Sequence, residues 1–117
     1  MIAAVAALAL LSAPAPAVAH IAGFYETQQI ETAAALELQS NGHYRYALEY
    51  GAVSERGEGD WTFDGAFVHL TSNPMPPALH ALELGNARFE NERLALECGD
   101  LLLARYETIF RFKRIAP

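Results

Sequence analysis

"HYRYALEYGAVSERGEGDWTFDGAFVHLT", residues 43–71, decides the architecture of this chain. In its first eight residues Tyr44, Tyr46, Leu48 and Tyr50 alternate with His43, Arg45, Ala47 and Glu49. Successive side chains of an extended backbone point to opposite sides, so a period of two with one apolar face predicts a half-buried strand. Trp61 and Phe63 repeat the pattern in "DWTF", and Ala66, Val68 and Leu70 repeat it in "AFVHL". Asp64-Gly65 separates those two runs, and Asp-Gly between alternating segments is a strong hairpin signal. "RGEG" at 56–59 reads as turn chemistry, which makes 51–59 a loop.

Outward from this stretch the punctuation continues: "SNG" at 40–42, "NPMPP" at 73–77, "GN" at 85–86 and "GD" at 99–100. Turn signals at intervals of about ten residues mark an antiparallel all-β domain. "IETAAALELQ" (30–39) and "PPALHALELG" (76–85) are rich in Ala, Leu and Glu, which favour helices. Yet Leu36 and Leu38 alternate with Glu37, and Leu82 and Leu84 with Glu83, so both read as strands with a helix as the alternative. Strands are expected near 22–30, 33–39, 43–51, 59–64, 66–72, 79–85, 93–98 and 104–115. About eight short strands with tight turns suit a small antiparallel up-and-down barrel, which leaves no exposed edge. The last expected strand carries Arg105, Arg111, Lys113 and Arg114, and the first carries Glu26 with Glu31 beside it. If those strands pair, opposite charges meet across the closing seam, the alternative being two solvated faces that never meet.

The amino terminus follows different rules. Met1 to Ala19 holds no charged residue, its apolar run is broken by Pro14 and Pro16, and Ala17-Val18-Ala19 fits the small-residue pattern cut by signal peptidase. Its apolar core is too short to span a bilayer as a helix. Residues 1–19 are therefore expected to be a secretory signal peptide and 20–117 a single β-barrel domain, secreted or periplasmic. The net charge of −6 argues against nucleic acid and against anionic membrane surfaces. Cys98 is the one cysteine, so no intramolecular disulfide can form, and its parity with Leu94 and Leu96 suggests a buried thiol. A monomer is expected.

Motifs of chemistry are sparse. No serine stands in a G-x-S-x-G turn, and no glycine-rich loop leads from a strand into a helix. Glu55, Glu58 and Asp60 crowd one stretch and read as a solvated loop. His43, His69 and His80 lack the spacing of a metal site. Nothing implies a cofactor or an enzyme. Cleavage after Ala19 would nevertheless place His20 at a free amino terminus, where amine and ring nitrogen suit Cu(II). The expected inward list is bulky, and includes Tyr44, Tyr46, Tyr50, Trp61, Phe63, Phe110 and Phe112. A filled barrel is expected over an open calyx, with three tyrosine hydroxyls in need of partners.

Gly23-Phe24-Tyr25, Asn41-Gly42, Gly59-Asp60-Trp61, Asp64-Gly65 and Val68-His69-Leu70-Thr71 together resemble the small lipocalin-like, calycin-type domains of bacterial secreted proteins. Tyr25 stands where lipocalins place a first-strand tryptophan. The resemblance implies a barrel with a small apolar or aromatic ligand at its open end, lined here by Tyr44, Tyr46, Tyr50 and Trp61. Two other expectations are a periplasmic protein partner or inhibitor target bound through the 51–59 loop, and copper captured at His20.

Overall fold

The computed structural model describes residues 20–74 and 87–117. Eight antiparallel strands form one closed barrel in sequence order: β1 (Gly23–Gln29), β2 (Thr32–Leu38), β3 (His43–Tyr50), β4 (Val53–Phe63), β5 (Phe67–Ser72), β6 (Glu92–Glu97), β7 (Asp100–Arg105) and β8 (Thr108–Ala116). The all-β up-and-down barrel that the alternation implied is the fold. Among the described residues no helix is long and apolar enough to cross a membrane.

The alternating faces set the register. Tyr25, Leu36 and Tyr46 are cross-strand partners in one layer of the core, and Thr27, Ala34, Leu48 and Glu55 form the next. On the opposite wall Phe63 pairs with Val68 and Val68 with Leu94, while Leu103 pairs with Phe110 and Leu101 with Phe112. These inward side chains fill the barrel, and Tyr25, Tyr44, Phe89, Phe110 and Phe112 are the largest of those fully buried. Each such ring or leucine stabilises the fold by about 1.5–3 kcal/mol relative to exposure. The helix-favouring stretch 30–39 is β2, because Ala34, Leu36 and Leu38 supply one continuous inward face.

Several expected boundaries move. Residues 51–59 are not a loop: only Gly51 and Ala52 turn, and β4 starts at Val53. The glycines that resembled a turn face inward, where space is scarce. A Cβ on Gly57 would lie 3.0 Å from the Ala87 carbonyl oxygen, and one on Gly59 would run into the Thr71 carbonyl. The expected strand 104–115 is two strands, β7 and β8, joined at Tyr106-Glu107. Both turn residues adopt positive φ, 55° and 57°, in the conformation a two-residue hairpin needs even without Gly or Asn. Cys98 is exposed rather than buried, because β6 ends at Glu97 and Cys98-Gly99 forms the next turn. Ala66 likewise lies exposed in the β4–β5 turn instead of facing inward. The signal-peptide residues 1–19, the strand expected at 79–85 and His80 lie outside the described residues.

Closure joins β1 to β8 and sets Glu26 opposite Lys113 in register, though the two form no ion pair within 4.0 Å. The other cations expected there bond to groups other than Glu26 and Glu31. Arg111 bonds to Glu97 and Asp100, Arg105 turns inward to Glu55, and Arg114 donates to the Ala22 carbonyl. The register shifts between Phe24 and Tyr25, and Ile115, on the outward parity of β8, is exposed near Phe24. One further piece completes the wall. β4 pairs with β5 only from Gly59 to Phe63, and beyond that the Arg56 carbonyl accepts from Ala87 N. Phe89 is anchored by bonds to Ser72 and drives its ring into the interior against Tyr44 and Tyr46.

Candidate functional site

The four residues expected to line an open mouth do not share one end. The upper end of the barrel carries the turns at 30–31, 51–52 and 106–107, and the lower end those at 39–42, 64–66 and 98–99. Trp61 sits toward the lower end, where its indole N–H donates to the Gln39 carbonyl at 2.7 Å. Tyr50 is half-buried at the upper end, stacked near Tyr106 at 6.4 Å and edge-on to Phe110 at 5.3 Å. Tyr44 and Tyr46 lie between them, both touching Phe89. Of the three tyrosine hydroxyls expected to need partners, those of Tyr44 and Tyr46 find them inside the protein, while Tyr50 is only half-buried. Tyr44 meets Ser72 Oγ at 3.3 Å, Tyr46 donates to Glu55, and the unanticipated Tyr25 donates to the Ile21 carbonyl. Burial pushes the hydroxyls of Tyr25, Tyr44 and Tyr46 above their ordinary range, and the Glu55 carboxylate raises Tyr46 further.

A charged cluster occupies the upper interior. Glu55, only 6% exposed, accepts four bonds. Tyr46 O–H and Arg105 Nε reach Oε1 at 2.8 Å each, while Arg105 Nη2 and Tyr106 O–H reach Oε2 at 3.0 and 2.6 Å. The guanidinium lies 5.1 Å from the Phe89 ring centre and 4.9 Å from that of Tyr106. Burial works to raise the Glu55 pKa, but the bonds from Arg105, Tyr106 and Tyr46 outweigh it and hold it below the usual carboxylate value. With both oxygens engaged and the charge retained, Glu55 is an anchor rather than a base. The signal that could have located it was present: Glu55 has the same parity as Trp61 and Phe63, which makes it an inward acid. Arg105 shares the parity of Leu101 and Leu103.

The histidines are placed separately. His43 Nδ1 lies 2.8 Å from Asp60. His69 faces an acceptor on each ring nitrogen, Asp64 Oδ2 and Asn91 Oδ1, both at 2.7 Å. His20 is exposed at the start of the described chain. Among the described residues no three His, Cys, Asp or Glu side chains group as a metal site would require.

With the interior filled, the concave apolar surface is outside. Ala35 and Ala47 are register partners on the outer face of β2 and β3, and their short side chains form the floor of a groove of about 290 Å³. Phe24 (44% exposed) and Ile115 (57% exposed) stand over it, and Glu26, Glu37 and Arg45 rim it. Residues chosen for a flat pleated surface would rarely leave such a trough. It exists because two alanines sit side by side and Phe24 and Ile115, both on outward positions of their strands, flank them. No local stretch of sequence announces this groove, since Ala35 and Ala47 lie on different strands and only the register sets them side by side.

No protein-family model matches the chain, and neither the curated proteins nor the solved structures yield a match.

Proposed function

We propose that this chain is an exported, non-enzymatic β-barrel of lipocalin-like build that binds a small apolar or aromatic group on its outer face. The groove between Phe24, Ala35, Ala47 and Ile115 is the site. One observation carries the reading: the barrel interior is occupied by its own rings, while exposed apolar side chains surround a trough on the sheet exterior. Ligand sites are concave, mainly apolar and edged by a few polar groups, and this groove has that composition at the small end of the usual size range. Phe24 and Ile115 supply the contact area, and Glu37 and Arg45 fix orientation at the rim.

The test is titration with the neutral fluorescent probe N-phenyl-1-naphthylamine. Saturable enhancement is expected for the unaltered chain. It should disappear in Ala47→Glu, which puts a charge on the groove floor at an outward position and leaves the core untouched. Tyr50→Phe and Trp61→Phe should bind as the unaltered chain does. Binding that survives Ala47→Glu yet fails in Tyr50→Phe would return the site to the barrel mouth and overturn the proposal.

A further inference from the structure

A second concavity, separate in chemistry from the apolar groove, lies on the outer face where β3 and β4 meet residues 72–74 and 87–88. Its volume is about 600 Å³, and its lining includes Arg45, Arg56 and Arg88 with Glu58 as the one carboxylate among the described residues. Three of the chain's eight basic residues therefore converge on one cleft of a protein whose net charge is −6. We propose that this cleft is an oxyanion site, taking a phosphate- or sulfate-type group on a small molecule.

The use made of the other cations supports the assignment. Arg105 is tied to Glu55, Arg111 to Glu97 and Asp100, and Arg114 to the Ala22 carbonyl. Arg93 lies over the Phe67 ring, while Lys113 only faces Glu26 across the seam, with no ion pair within 4.0 Å. The side chains of Arg45 and Arg56 make no hydrogen bond or ion pair with any described residue. Arg45 has Glu37 and Glu58 as its register partners, yet neither carboxylate comes within 4.0 Å of it.

Strand geometry brings the two free guanidiniums toward each other. Arg45 pairs with Glu58, and Arg56 is two residues along the same strand, so the two arginines are diagonal neighbours. Such positions lie about 7–8 Å apart at the backbone, within reach of long side chains. Like charges in that arrangement repel unless an anion sits between them. Arg88 faces them from the other wall, with Nη1 donating to the Asn73 carbonyl at 2.9 Å. A guanidinium fork matches the oxygens of a phosphate or sulfate in shape as well as charge, which a single ammonium would not. The rigid β3–β4 ladder fixes the spacing, because both strands are paired along their whole shared length.

The experiment is an amide chemical-shift titration of the purified chain at constant ionic strength, with chloride replaced by inorganic phosphate and, in a second arm, by phenyl phosphate. Saturable shifts confined to Arg45, Arg56, Gly57 and Arg88 are expected, with one dissociation constant. Arg45→Gln and Arg56→Gln, both at exposed positions, should each weaken binding by roughly tenfold with unchanged thermal unfolding. Arg111→Gln should leave binding as it was. Tighter binding of phenyl phosphate would identify an ester as the natural source, and equal binding would point to the free anion. Shifts spread evenly over Arg93, Lys113 and Arg114, or affinity unaltered in the Arg45 and Arg56 variants, would overturn the proposal.

Discussion

Replacing Glu55 by glutamine keeps the shape of the side chain and removes the charge that four donors converge on. Two of those bonds come from Arg105 and two from tyrosine hydroxyls. Breaking a buried ion pair from one side costs about 3–5 kcal/mol, because the partner is left with a desolvated charge. Here the Arg105 side chain is 23% exposed and can recover some hydration, while the amide oxygen of glutamine keeps part of the donor set. The expected loss is therefore about 2–4 kcal/mol, or about 10–20 °C in Tm for a domain of this size. Thermal unfolding followed by circular dichroism, with urea unfolding alongside, measures it. The double replacement Glu55→Leu with Arg105→Met supplies the control. Removing both charges together should lose less than the two single changes added, with a coupling of about 1–3 kcal/mol. A Glu55→Gln chain within about 1 kcal/mol of the unaltered protein, or strict additivity in the cycle, would refute the view that this cluster holds the upper end together.

Four other outcomes follow from the geometry. The depressed pKa of Glu55 means its contribution to stability is present above the carboxylate's unfolded value near 4.3. It is lost as pH falls through the lower folded value, so the acid limb of the stability profile should flatten in Glu55→Gln. His69 is shifted the other way, chiefly by its bond to Asp64. The stability it supplies is full below about 6.5 and fades as pH rises through its higher folded pKa, and Asp64→Asn should bring its NMR titration midpoint back down. Glu107 holds φ at 57° in the β7–β8 turn, so Glu107→Gly should stabilise the chain by about 0.5–1 kcal/mol in thermal melts. Cys98, exposed in its turn, should react with Ellman's reagent in the folded state without prior unfolding by denaturant.

Much of the barrel was legible because most strands bury one face only. "HYRYALEY" states its register in its own alternation, and Asp64-Gly65 states its turn, with Asp64 Oδ1 accepting from the amides of Ala66 and Phe67. Reading failed where a position's chemistry and its environment disagree. Glu55, Gly57 and Gly59 look like loop residues, yet they face inward, where Arg105, the Ala87 carbonyl and the backbone at the end of β5 demand those residue types. Tyr106-Glu107 carries no turn residue, so the two strands it separates read as one. The groove was less legible still. Its floor is two alanines on different strands, and their adjacency is a product of register that no local window contains. Phe89 shows the same limit, since nothing around it in sequence announces a ring bound for the interior.

The pairing of β1 with β8 has a consequence for how the molecule comes into being. The first strand meets its second neighbour only when the last has been made, so the ring seals through contacts between the two extremes of the chain. Folds dominated by such distant contacts form slowly, because loop closure precedes the reward. A chain that has lost β8 would present two raw strands, β1 and β7, each with a ladder of unanswered amides and carbonyls. The β8 of another copy is the nearest complement to that opening, which makes exchange of the final strand between molecules the characteristic way for this barrel to go astray.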